Sequence, residues 1–149
     1  MDGPTFDGKI KMTVKQVVVV RRDLNMRTGK IAAQSAHASI SFLTTRLTKS
    51  TMIHNLLYLP SRLFEYKLRL SIVEREWLKS GFAKIVAQVS SEEELLDIEK
   101  KAREAGLTVH LITDSGHTEF HGVPTRTCLA IGPNYSDEID KITGHLKLY

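Results

Sequence analysis

The sequence predicts an α/β fold: a mixed four-stranded sheet between helix layers, with its last strand antiparallel. Three observations lead there. Four short β-branched or apolar runs, at Lys15–Val20, Lys84–Val89, Thr108–Thr113 and Arg126–Ile131, read as strands. Helical patterns fill the chain between the first three, as parallel strands with right-handed crossovers require. Only a polar loop, Asp114 to Pro124, joins the third run to the fourth. A parallel return needs a longer crossover, so the fourth strand runs back.

The bulk properties set the frame. The 149 residues carry a formal charge of +4 with 42% hydrophobic and 26% charged residues, the balance of an ordinary globular domain. The basic excess permits a nucleic-acid partner without demanding one. A single cysteine, Cys128, rules out an internal disulfide and fits a reducing compartment. No apolar run is long enough to span a bilayer and no signal-peptide pattern opens the chain, so a cytoplasmic protein is expected. Residues 1–14 read as a loose, flexible leader and residues 15–149 as a single domain.

The first strand leads into a basic turn with Arg21, Arg22 and Arg27, then Gly29-Lys30 and a helix from about Gly29 to Leu47. Helix starts attract anions because their first N–H groups lack partners and the dipole is positive there. A phosphate-bearing ligand is therefore expected. Ala33, Ala36, Ile40, Leu43 and Leu47 recur at helical steps and are assigned to the packing face. Lys30, Gln34, His37 and Ser41 form a polar stripe beside it. Thr48 to Tyr58 is ambiguous and Pro60 breaks it. Leu63, Tyr66, Leu70, Val73 and Trp77 predict an amphipathic helix stopped near Gly81. Ser91 and Glu94 form a capping box for a helix that turns Leu95, Ile98, Ala102 and Ala105 inward and ends at Gly106. Gly132-Pro133 is expected to stop the fourth strand. Ser136 is expected to cap a last short helix, closed by Gly144.

This topology makes a spatial prediction. The turn after the first strand, Asp114 after the third, and the beginning of the fourth near Thr127 all lie at the carboxyl edge of the sheet. Open α/β sheets bind ligands there. Lys30, Gln34, His37, Asp114, His117, Thr118 and Thr127 are thereby assigned to one cleft. Several chemistries drop out. No nucleophile elbow is present. Gly29-Lys30 is followed by Ile31, so it is not a P-loop. The histidines lack zinc-type spacing; His117 and His121 are four apart, but in a loop. A carboxylate, an ammonium, two hydroxyls and an imidazole remain, a set able to direct water at an ester and stabilise the oxyanion.

These residues also carry a resemblance. Arg22-Asp23-Leu24-Asn25-Met26, Gly29-Lys30-Ile31-Ala32-Ala33-Gln34 and His37-Ala38 resemble the N-terminal motif of the class II peptidyl-tRNA hydrolases, the archaeal and eukaryotic type. Asp114-Ser115-Gly116-His117-Thr118 resembles that family's Asp-Ala-Gly-Arg-Thr loop. Ile131-Gly132-Pro133 and Ile139 to Leu148 resemble its C-terminal signature. The resemblance implies a three-layer α/β/α sandwich, hydrolysis of the ester between a peptide and the 3′ end of tRNA, no metal or organic cofactor, and a homodimer. It places the catalytic groups on Lys30, Asp114, Thr118 and Thr127. Arg22 and Arg27 are assigned to phosphate contact. Gln34 and His37, expected as semi-core side chains, and the loop residue His117 are assigned to substrate binding. The chain departs from the family pattern at Arg27-Thr28, where Gly-Lys is usual, and at His117 and Glu119, where Arg and Gln are usual. The region from Ser50 to Glu76 is also longer than in most members. Two alternatives accompany this reading: a non-catalytic module gripping a tRNA end or a protein, and a deacylase acting on aminoacyl-tRNA.

Overall fold

In a computed structural model, which describes residues 13–56 and 68–149, the elements follow in the order β1 (Val14–Arg21), α1 (Thr28–Leu56), α2 (Ile72–Lys79), β2 (Lys84–Val89), α3 (Glu92–Glu104), β3 (Val109–Asp114), β4 (Thr125–Tyr135) and α4 (Ser136–Thr143). Residues 1–12 of the expected leader, and Pro60, Leu63 and Tyr66, lie outside the described residues.

The sheet order is β2-β1-β4-β3. β1 pairs with β2 in parallel and with β4 antiparallel, and β3 pairs antiparallel with β4. The returning strand therefore inserts between β1 and β3 and leaves β3 at an edge. Alternation along β1 divides the core. Val17 and Val19 pack with Leu95, Ile98 and Ala102 of α3 and Ile139 and Ile142 of α4. Val18 and Val20 pack with Met26 and with Ala38 of α1, while Val14 meets Phe42 of α1 and Trp77 of α2. Two helices on each face make the expected three layers.

Several local expectations change. β4 continues through Gly132-Pro133 to Tyr135 because β1 accommodates them: its register shifts between Lys15 and Val17, and Gln16 stands opposite the pair. The Gln16 side chain donates to the carbonyls of Ser39 and Gly132 and accepts from the Ser39 hydroxyl, so this buried amide is satisfied. Ser136 does not cap α4; it is the first helical residue, and its buried Oγ has no hydrogen-bond partner. Ser91 caps α3 as expected, but Glu94 accepts from the Ser90 N–H rather than from Ser91. Ala105 is exposed. A full capping box starts α2 instead, with Ser71 accepting from the Glu74 N–H and Glu74 from the Ser71 N–H.

The largest correction concerns α1. Its buried residues are Gln34, Ala38, Ser39, Ser41 and Phe42, not the alanine–leucine stripe. Ala33 and Ala36 are exposed, Ile40 is 50% exposed and Leu47 is 40% exposed. Leu43 alone of the expected stripe packs inward, against Val14, Phe42 and Trp77; the other four residues are exposed. Polar atoms occupy the true face because each finds a partner there. Ser39 bonds Gln16, Ser41 bonds the Ala38 carbonyl, and Gln34 bonds residues of the sheet edge. Hydrophobic periodicity gives no weight to such satisfied polar groups.

Candidate active site

The site lies where the first turn of α1 meets the carboxyl end of β3. Lys30 and Gln34 are one helical turn apart and so project from one face of α1. β3 ends at Asp114, opposite Thr125 of β4. Lys30 Nζ donates to Asp114 Oδ1 at 2.6 Å and to Thr118 Oγ1 at 2.9 Å. Gln34 Nε2 donates to the same Asp114 oxygen at 3.0 Å, and the Gly116 N–H donates to Asp114 Oδ2 at 2.9 Å. Two pieces of chain 80 or more residues apart, the start of α1 and the end of β3 with its loop, thus meet at one carboxylate.

Behind this front lies a second tier. Thr127 is fully buried and donates from Oγ1 to Gln34 Oε1 at 2.6 Å. A carboxylate only accepts, so the Gln34 NH2 must face Asp114 and its carbonyl must face Thr127. The result is a directed chain from Thr127 through Gln34 to Asp114. Thr127 does not border solvent, so it acts on Asp114 through Gln34. Cys128, next to it, is sealed in the core; its thiol donates to the main-chain carbonyl of Gln34, and burial pushes its pKa up to about 11. A thiol so placed is a packing group rather than a nucleophile.

The Lys30 ammonium, with the Gly116 N–H, holds the Asp114 carboxyl below the usual aspartate range, outweighing the effect of burial. The Lys30 and Asp114 side chains are only 13% and 11% exposed, so their pair is partly shielded from solvent. Asp114 is consequently a firm anion and a poor proton acceptor at neutral pH. Lys30 also lies over the Phe120 ring, 5.8 Å from its centre.

The loop is built for this geometry. Gly116 has φ +86, and a Cβ added there would collide with the Val123 carbonyl oxygen. Only glycine lets the chain fold back while offering its N–H to Asp114. The first turn of α1 contains no acidic residue, which leaves the positive end of the helix uncompensated by its own side chains.

The other assigned residues distribute unequally. Arg27 and Glu119 pair across the mouth at 2.7 Å, with Arg27 78% exposed. Together with Gly29, Lys30, Ala33 and Thr118 they line an open groove of about 490 Å³. His37 is exposed on α1 rather than semi-core, and lines a second groove that also reaches Asp114. His117 is exposed on the loop. Arg22 turns toward Tyr149 and lies 5.6 Å from its ring centre, on the β2 side of the sheet. Arg21, in the same basic turn, is structural: it binds Asp23 through two nitrogens, Glu92, and the Arg126 carbonyl. Among the described residues, no group of three or more His, Cys, Asp or Glu side chains is arranged to hold a metal ion.

Residues 14–149 match the family model described as Peptidyl-tRNA hydrolase PTH2. The chain belongs to the peptidyl-tRNA hydrolase PTH2 family. Its similarity to named members covers nearly all of the chain. The peptidyl-tRNA hydrolase of Methanocaldococcus jannaschii is 41% identical over 136 residues, 91% of this chain and 99% of that protein. That of Metallosphaera sedula is 42% identical over 135 residues, again 91% and 99%. Bovine mitochondrial peptidyl-tRNA hydrolase 2 is 40% identical over 135 residues, 91% of this chain and 64% of that protein. In this PTH2 family member, Lys30, Gln34, Asp114 and Thr118 are joined by hydrogen bonds at the front of the candidate site, with Thr127 buried behind Gln34.

Proposed function

We infer that this chain hydrolyses the ester of peptidyl-tRNA, releasing peptide and free tRNA. The observation that carries the reading is the Lys30 ammonium held between Asp114 and Thr118 in the groove that Arg27 also lines. Membership of the PTH2 family supplies the substrate class.

Ester hydrolysis needs an oriented water and a donor for the oxyanion. Lys30 supplies the cation. Thr118 Oγ1 accepts from Lys30, which leaves its O–H directed elsewhere, toward water or the developing oxyanion. Asp114 Oδ2 accepts from the Gly116 N–H and keeps a lone pair for water. Because Asp114 is a weak base, positioning and oxyanion stabilisation carry the rate rather than strong proton abstraction. Gln34 and Thr127 fix the carboxylate and are positioning residues. No metal or organic cofactor enters this scheme.

The tRNA 3′ end lies on the side of Arg27 and the α1 start, with His117 at the rim. Arg22 contacts the acceptor stem from the β2 side. In solution the protein is a cytoplasmic homodimer whose contact includes the exposed Ala36, Ile40 and Leu47 stripe of α1; Ile40→Asp would then shift sedimentation to the monomer. No described helix is long and apolar enough to cross a membrane.

The direct assay is release of N-acetyl-aminoacyl groups from tRNA by the purified protein, with Lys30→Ala alongside. Wild-type turnover and a loss of both turnover and tRNA affinity in the variant are expected. An intact substrate after hours with wild-type protein would refute the reading and favour a binding module. Faster cleavage of free than of N-blocked aminoacyl-tRNA would favour a deacylase.

A further inference from the structure

A second groove, of about 530 Å³, runs from Asp114 along the side of β3 that pairs with no other strand among the described residues. Its strand wall is the last four residues of β3, Leu111 to Asp114, continued by Ser115 of the loop. Side chains of a strand alternate between faces, so four strand residues in a row border one groove only where the strand's edge faces it. β3 is the last strand of the sheet, and an edge strand presents N–H and C=O groups along its outer side. The opposite wall is one polar line of α1: Gln34, His37, Ser41 and Thr44 at helical steps.

From these observations we propose that this groove binds the peptide half of the substrate as an added strand on β3. The inference rests on the hydrolase reading, which places the ester at Lys30 and Asp114. The tRNA end occupies the Arg27 side, so the peptide must leave on the other side, along β3. Its C-terminal carbonyl lies at Asp114, the C-terminal end of β3, and its N-terminus lies toward Leu111. The added strand therefore runs parallel to β3. Leu111 to Ser115 spans about 13 Å, and Gln34 to Thr44 spans about 15 Å of helix. Both lengths hold about four residues of extended peptide.

Main-chain pairing accounts for a requirement that side-chain pockets meet poorly. Strand addition derives affinity from backbone groups and is indifferent to sequence unless pockets impose one. An enzyme for peptides of any sequence needs that indifference. The groove also distinguishes peptidyl from aminoacyl esters, because a free aminoacyl group has no further peptide bond to pair.

The test uses binding of uncleavable probes to the whole protein. N-acetylated alanyl chains of one to five residues are joined through an amide to 3′-amino-3′-deoxyadenosine and titrated calorimetrically. Affinity should rise with length up to about four residues and then level off. Single N-methylation along the tetraalanyl chain should weaken binding about threefold to tenfold at alternate positions, because successive residues of a strand face opposite sides. In Thr44→Trp, which narrows the far end, the affinity ratio of the four-residue to the one-residue probe should fall toward one. Affinity independent of length, or insensitive to N-methylation, overturns the proposal. The same acyl chains carried as 3′-esters on tRNA, assayed in parallel, separate the two readings: no hydrolysis of any ester refutes the hydrolase, whereas hydrolysis with length-independent binding refutes only the groove.

Discussion

Asp114 concentrates three contacts on two oxygens, and its supports are separable. Thr127→Val removes the donor to Gln34 Oε1 and leaves a buried carbonyl unpaired. The expected cost is about 1–3 kcal/mol of stability, with turnover falling on the order of tenfold. Thr127→Ser restores the donor and should restore most of the turnover, an outcome that simple core packing does not predict. Thermal melts and single-turnover assays read the two effects. The ion pair also fixes the acid limb of the pH profile. The folded-state Asp114 carboxyl titrates below its unfolded value. Its contribution is complete above the ordinary aspartate range, near pH 3.9, and disappears as pH falls through the lower folded value. Turnover should therefore show no loss attributable to Asp114 between about pH 5 and 7; an acid limb near pH 6 that vanishes in Asp114→Asn would contradict this. Lys30, Asp114 and Thr118 were legible because their motifs and strand ends share one sheet edge. The direction of Arg22 and the burial of Thr127 were not, because nothing in a sequence weighs a cation's stacking on Tyr149 or shows which side chain stands behind another.

At the scale of elements, α1 shows where pattern reading fails. Its apolar stripe, Leu43 apart, points outward, while Gln34, Ser39 and Ser41 take inward positions because their polar groups are satisfied there. Three strands, in contrast, were read to within one residue at each end, and β2 spans Lys84–Val89 as expected; β4 runs four residues beyond its expected end because β1 accommodates Gly132-Pro133. The start of α2 was missed because its Ser71–Glu74 box sits inside a longer helical pattern. Glu74 serves two elements at once. Burial pushes its pKa up, but the Arg46 guanidinium and the Ser71 N–H outweigh this and leave it below the usual range. Arg46 of α1 grips both carboxylate oxygens, at 2.6 and 3.0 Å. Glu74→Ala should cost about 3 kcal/mol, from the lost cap and the broken pair, seen as a lower denaturation midpoint. Gly116→Ala should act differently: the loop must move away from Val123, withdrawing the Asp114 N–H partner. Turnover should fall steeply, with a smaller drop in the denaturation midpoint because Phe120 of the same loop packs against the core cluster of Val18 and Val20.

For the whole molecule, the antiparallel insertion of β4 brings the site together. It carries Thr127 between β1 and β3, directly beneath Gln34, while α1 and β3 present Lys30 and Asp114 from either side. The modest net charge of +4 is less telling than its placement: Arg27 stands at the mouth with Glu119 as its partner. Glu119→Gln should release Arg27, tighten tRNA binding and steepen its salt dependence by about one counterion's worth of slope. Equal slopes in filter binding from 50 to 200 mM salt would contradict that role.

The most direct measurement is the turnover of N-acetyl-aminoacyl-tRNA by Asp114→Asn, with tRNA affinity measured on the same preparation. A fall on the order of a hundredfold or more in turnover, with affinity changed less than about threefold, is the expected result. Turnover equal to that of the wild type would show that the Lys30–Asp114 pair is not where the ester is cleaved.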